Sequence, residues 1–237
     1  MFVVLRKKSV IICLVFVCAV ILSCVMLSYA AGAEVASVPK IGKTVVVDAG
    51  HGGIDGGVVG SASGVKESEI NLAIAKSLKH FLERNGYDVV MTRENSDGLY
   101  GLTSKNKKLR DMEARRDIIK EAKPDLVISV HQNYYPLSSV RGAQVFYSAD
   151  SEISKQIADS MQGTLNTALG NDRIAKTGDY YIVNCTDFPS VIVECGFLSN
   201  PEEEQLLVTA AYQEKVAYSV FSAVHSIFGT ETEHEHS

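Results

Sequence analysis

The chain has 237 residues, 46% of them hydrophobic and 22% charged, with a formal net charge of −5 at neutral pH. That is material for one domain with a substantial core, and no internal period of roughly 20 to 50 residues recurs, which excludes a solenoid. Arg6, Lys7 and Lys8 are unopposed by acids in the first thirty residues, so the remainder carries 20 basic against 28 acidic side chains, a net −8 that gives no attraction to nucleic acid or anionic lipid.

In chain order, the basic cluster precedes an apolar run from Val10 to Leu27 that ends in Ser28-Tyr29-Ala30, the order of an export leader. The run is also long enough to remain as an anchor, so residues 1–30 read either as a signal peptide or as an N-terminal membrane anchor. With the cations on the N-terminal side, both readings put the folded part outside the cytoplasm: secreted, wall-associated or membrane-attached. Residues 31–42 are a small-residue linker, 43–229 a single folded unit, and 230–237 (TETEHEHS) a polar, disordered tail whose His234 and His236 can bind metal adventitiously.

Within the folded unit, Val45–Asp48 is an apolar, β-branched run, the pattern of a strand covered on both faces. A glycine-rich loop follows. Ile70, Ile74, Leu78 and Phe81 with Leu82 then recur at helical spacing, stopped by Asn85-Gly86. Tyr87–Thr92 is the next strand, Leu109–Ile119 a helix, Asp125–Val130 a strand that runs into His131, and Gln144–Tyr147 a short strand. Ile153, Ile157, Met161 and Leu165 mark a helix closed by Gly170, Tyr180–Val183 and Val191–Glu194 read as strands, and Asn200-Pro201-Glu202 opens the last helix. The alternation predicts an α/β domain: a mostly parallel, twisted sheet with helices on both faces.

In such sheets functional groups gather beyond the carboxyl ends of the strands. His51, His131 and Glu194 stand at three of those ends, and Glu67 lies between the glycine-rich loop and the first helix. Two imidazoles and one carboxylate leave one position of a tetrahedral zinc ion open, the pattern of a catalytic site whose coordinated water has a pKa of about 7. A second carboxylate beside that water can act as general base and then protonate a leaving amine. Spacing alone leaves the alternative of loop histidines open. A dinucleotide loop is excluded by the letters, because Gly50 and Gly52 are followed by Asp55 where the third glycine belongs.

VVVDAGHGGIDGG with Glu67 downstream, DLVISVHQN and VIVECGFLSNPEE resemble, in this order and spacing, the three signature blocks of the zinc-dependent N-acetylmuramoyl-L-alanine amidases, the amidase_3 family. The likeness covers residues 43 to 228, and the length and leader resemble the germination-specific spore-cortex members. It implies a single zinc ion held by His51, Glu67 and His131, with Glu194 as the catalytic glutamate. The implied reaction is hydrolysis of the amide between the lactyl group of N-acetylmuramic acid and L-alanine in peptidoglycan. In spore cortex that reaction leads toward muramic-δ-lactam, with a separate deacetylase acting after it, and an activating protein partner is left open. Arg115 matches a family arginine, whereas Ile119-Lys120 and Gln132 depart from the usual residues.

Other readings stay beside this one: a zinc carboxypeptidase-like peptidase of similar sheet architecture, or a catalytically silent cell-wall assembly factor, from which loss of at least one of the four residues is expected. Asn133 and Arg115 are substrate-binding candidates, with Arg93 as a second arginine that could meet a substrate carboxylate or a surface acid. Tyr134-Tyr135 sit where a sugar or peptide could pack, and His225 on the apolar last helix reads as structural. Cys13, Cys18 and Cys24 fall in the leader, leaving Cys185 and Cys195, too few for a disulfide scaffold. Cys195 is expected to face away from Glu194 as a buried thiol. A bridge between it and Cys185, at the ends of successive expected strands, is left open.

Overall fold

The structure is a computed structural model that describes residues 7–31, 40–101 and 105–234. Most of the expected linker, the leader's Arg6 and the tail's His236 lie outside the described residues. Two units are distinguished, Met1–Val38 and Pro39–Ser237. The first holds helix α1 (Lys7–Ala31), whose Ile12, Phe16 and Leu22 are exposed. Among the described residues no helix is long and apolar enough to cross a membrane.

The second unit is built on a six-stranded sheet. Its elements are β1 (Thr44–Ala49), α2 (Glu67–Arg84), β2 (Asp88–Met91), α3 (Lys107–Ala122), β3 (Leu126–Asn133), β4 (Gln144–Tyr147), α4 (Glu152–Leu169), β5 (Lys176–Thr177), α5 (Tyr181–Asn184), β6 (Ser190–Phe197), α6 (Pro201–Leu207) and α7 (Ala210–His234). Strands run in the order β2-β1-β3-β6-β4-β5. β2, β1, β3 and β6 are parallel, and β4 pairs with β6 antiparallel.

The strict two-residue alternation of the strands sorts their side chains into two layers. Val45, Val47, Ile128, Val130, Val191 and Val193 pack against α2, α4 and α7 in the larger core, while Val46, Val127 and Ile192 meet Ile119 of α3 and Ile182 and Val183 of α5. Asp48, Ser129, His131 and Glu194 have the parity of the second set. The chemistry of the chain therefore stands on the α3/α5 side, at the carboxyl ends of the central strands. There, His131 is in register with Glu194.

Local signals act as expected at several ends. Ser151 Oγ accepts from Ser154 N at the start of α4, Gly170 closes that helix at φ 71°, and Asn200 Oδ1 accepts from the amides of Glu202 and Glu203 ahead of Pro201. Two expectations are corrected. Tyr180–Val183 is no strand: its region forms the single turn α5, which buries Ile182 and Val183 together against α3, and tertiary packing overrides β propensity there. The last helix is two, because α6 ends at Leu207 and Thr209 Oγ1 accepts from Tyr212 N to start α7. α7 then runs through His234, into the stretch read as tail.

Cys185 and Cys195 are both free. Cys195 lies in the larger core, on the face opposite Glu194, while Cys185 packs with the α3/α5 layer, so the sheet separates the two thiols.

Candidate functional site

β1 delivers the chain to the site as Asp48-Ala49-Gly50-His51. Gly50 N still donates to Val130 O at 3.1 Å, but His51 leaves the strand at φ 61°, in the left-handed region that few side chains adopt. Glu67 enters as the first residue of α2, where the helix dipole favours a carboxylate. β3 supplies His131, which proves to lie within its strand rather than after it, and β6 supplies Glu194, with the strand running on to Phe197.

The ligand atoms of His51, Glu67 and His131 all lie within 4.8 Å of one another, close enough to hold one metal ion. Glu67 Oε1 is 2.9 Å from His131 Nδ1 and 3.2 Å from His51 Nε2, and the two rings meet edge-on with centroids 4.9 Å apart. The same carboxylate accepts from Gln132 N at 3.1 Å, Asn71 Nδ2 at 3.2 Å and, on Oε2, Val58 N at 2.9 Å. Burial opposes this charge, but hydrogen bonds from both imidazoles hold the Glu67 carboxyl far below the usual carboxylate range. For His51, burial favours the neutral ring, yet Glu67 and Asp55 outweigh it and push the metal-free imidazole up to about 9.

Glycines make room for this cluster. A Cβ on Gly50 would overlap the His131 ring, and one on Gly57, at φ 68°, would collide with Glu67 Oε2 and stand 2.8 Å from His51 Cδ2. Two imidazoles and a carboxylate, with space kept free around them and other residues bonded to their far sides, suit a borderline metal ion.

Glu194 differs from Glu67 in having little to bond. It is 9% exposed, and its Oε2 is buried with no hydrogen-bond partner. Burial, with the Glu67 charge added and the two histidines opposing, pushes its carboxyl up to about 7, a value suited to giving and taking a proton near neutrality. All four residues line one cleft of about 980 Å³, whose walls include Ile54, Tyr100, Asn133, Tyr134, Tyr180 and Tyr181. A second cleft of about 840 Å³ around the carboxyl end of β4 is lined by Ser148, Asp150, Ser151 and Asp187 and carries no imidazole.

The remaining sequence candidates separate clearly. Asn133 lines the cleft with its Oδ1 accepting from Tyr134 N at 2.8 Å, and Tyr134 and Tyr135 are about half exposed. Arg115 is 2% exposed and spends its guanidinium on Asp48, Asp111 and the backbone, and Arg93 is likewise buried. Arg115 nevertheless lines the cleft, whereas Arg93 is not among its wall residues. His225 is confined to structural contacts, its Nδ1 lying 3.2 Å from Tyr87 Oη.

Two contributors escaped sequence reasoning. Asp55, read only as the residue that spoils a phosphate loop, places Oδ2 3.0 Å from His51 Nδ1 and so grips the ring from its far side. Its signal was the four-residue offset from His51. Asn71, one helical turn beyond Glu67, bonds both Glu67 Oε1 and Gly50 O, an offset readable from helix periodicity.

Comparison with known proteins gives the family of the chain. Residues 45–226 match the family model Amidase_3, described as N-acetylmuramoyl-L-alanine amidase. The chain is 36% identical over 200 residues to the germination-specific N-acetylmuramoyl-L-alanine amidase of Bacillus subtilis, covering 81% of this chain and 82% of that protein. It is 32% identical over 193 residues to the amidase LytC of the same organism, covering 80% of this chain but 36% of that longer protein. Among solved structures it superposes on the CwlD amidase from Clostridioides difficile in complex with the GerS lipoprotein, with a TM-score of 0.76 and 35% identity over 79% of this chain and 99% of that one. The chain belongs to the Amidase_3 family and is an N-acetylmuramoyl-L-alanine amidase by that membership.

Proposed function

We propose that the chain hydrolyses the amide joining the lactyl carbonyl of N-acetylmuramic acid to L-alanine in peptidoglycan, using one zinc ion held by His51, Glu67 and His131. The observation that carries this reading is the convergence of three ligand atoms within 4.8 Å beside a buried carboxylate oxygen with no partner of its own. When bound, zinc supplies Lewis-acid polarisation of the scissile carbonyl and of the attacking water. Asp55 fixes His51 from behind, and the amides of Val58 and Gln132 with Asn71 orient Glu67. Glu194, in register with His131, is left free to take a proton from water and to return it to the departing alanine nitrogen. The exposed Tyr134, Tyr180 and Tyr181 give the cleft an amphipathic wall suited to sugar and peptide.

The germination-specific name of the Bacillus subtilis relative supports a role in spore cortex, where removal of the peptide precedes a deacetylase and lactam closure. The lipoprotein bound to the Clostridioides difficile relative supports a protein partner for this chain too. The basic cluster and apolar run of residues 1–30 support export, cleaved or anchored, with the catalytic unit outside the cytoplasm. The test of the chemistry is Glu194→Gln. Zinc content measured by atomic spectroscopy stays at the native level while release of peptide from purified wall falls about 10²- to 10⁴-fold, the usual worth of a general acid–base. Retained activity overturns the role of Glu194.

A further inference from the structure

Ala49, Gly50 and His51 point three successive carbonyl oxygens into the protein, and two buried arginines meet them. Arg93 Nε donates to Ala49 O at 2.8 Å and its Nη2 to Gly50 O at 2.9 Å. Arg115 Nη1 donates to Ala49 O at 2.8 Å and its Nη2 to His51 O at 2.6 Å. Arg115 is itself fixed by Asp48 at 2.5 Å and by Asp111 at 2.7 Å, and Arg93 Nη2 reaches on to Ser68 O at 2.8 Å, in the first turn of α2. Burial and the neighbouring Arg115 charge lower Arg93 to about 10, so it is kept as a cation against a real electrostatic cost.

Two like charges side by side at 2% and 4% exposure are an expensive way to hold a strand end. What they meet here is a backbone that does not hold itself. His51 is at φ 61°, and apart from the helix-capping Lys123 it is the one non-glycine residue with positive φ among the described residues. Such strain persists only where the surroundings over-determine it. The bond from Arg115 to His51 O is on the strained residue itself, and the direction of that peptide decides where the imidazole points.

We infer that Arg115, with Arg93 beside it, is a positioning residue for the metal site: its guanidinium fork clamps the 49–51 carbonyls and so aims His51 at Glu67 and His131. The inference rests on the zinc reading given above. It differs from a plain ion-pair role, because one ammonium cannot reach Asp48, Asp111, Ala49 O and His51 O together, whereas it can still neutralise Asp48.

Arg115→Lys in the full chain is the test, with zinc affinity measured by competition with a chromophoric chelator and folding followed by thermal melting. A clamp predicts that the lysine protein folds but binds zinc 10- to 100-fold more weakly, as for other groups that orient metal ligands. Ile157→Val, in α4 of the larger core, also lowers the melting temperature but leaves zinc affinity within twofold of native. Native-like affinity in the lysine protein overturns the inference and leaves the zinc reading standing; failure of the native chain to bind zinc overturns both. Should the lysine protein not fold, Asp111→Asn releases one anchor of the fork while Asp48 keeps its partner, and zinc affinity falls at least threefold if the clamp is real and is unchanged if it is not.

Discussion

Replacing Asp55 by asparagine tests how far the aim of one ligand matters to the whole site. The carboxylate does two jobs: Oδ2 lies 3.0 Å from His51 Nδ1, and Oδ1 accepts from Gly57 N at 3.1 Å. Asparagine keeps an oxygen for Gly57 but loses the charge behind the ring. With zinc bound, the ring carries part of the ion's charge to its Nδ1–H, and unit charges about 4 Å apart interact by about 1 kcal/mol in water and about 4 kcal/mol at an effective dielectric constant of 20. The comparison is made at about pH 9.5, where the metal-free His51 has largely lost the proton that Asp55 also favours. The Asp55 side chain is 41% exposed, so the lower part of that range applies, about 1 to 2 kcal/mol. That converts to roughly a 5- to 30-fold loss in zinc affinity. Chelator competition reads it directly, and kcat at saturating zinc should fall less than about threefold, because the acid touches the ligand and not the reacting atoms. An unchanged zinc affinity in Asp55→Asn refutes the claim that Asp55 orients His51.

The metal-free imidazole of His51 is raised from its ordinary value to about 9, because Glu67 and Asp55 outweigh the effect of burial. A raised histidine stabilises fully below its unfolded pKa of about 6.5 and loses that contribution as pH climbs through about 9. In urea unfolding of chelated protein, the stability advantage of the native chain over His51→Gln should therefore shrink between pH 6 and pH 9.5; a constant difference would count against the pairing. By the same linkage, zinc uptake at pH 7.5 displaces a proton, visible in calorimetry as a buffer-dependent binding enthalpy. Gly57→Ala places a methyl against Glu67 Oε2 and His51 Cδ2 at a φ of 68°, so it should both destabilise the chain by about 1 to 3 kcal/mol and abolish zinc binding, whereas Gly64→Ala, at φ 69° with nothing within 4 Å, should cost stability alone.

Much of this site was legible because its frame is simple. β1, β3 and β6 are covered on both faces, so they read as unbroken apolar runs, and the polar residue ending each run marks the functional edge of the sheet. His131 and Glu194 could be placed on one edge without any structure. What stayed hidden depends on contacts between distant segments. Ile182 and Val183 carry strand-like chemistry, but the helix α3 beside them folds that stretch into a turn. Arg115 reads as a substrate-binding candidate, and only the tertiary fold brings its guanidinium to Asp48 and the His51 carbonyl. Asp55 lay in plain view at four residues from His51, yet in a loop the offset has no meaning until the backbone turns at Gly52 and Gly53, both at positive φ.

The bond cleaved is the most direct measure of the account. Purified peptidoglycan digested by the full chain, with zinc or with chelator, and analysed by mass spectrometry of the released muropeptides should yield N-acetylmuramic acid with a free lactyl carboxyl and stem peptides with a free L-alanine amino group, only when zinc is present. Peptides shortened at their carboxyl end while still joined to the glycan, or cleavage indifferent to the chelator, would contradict it.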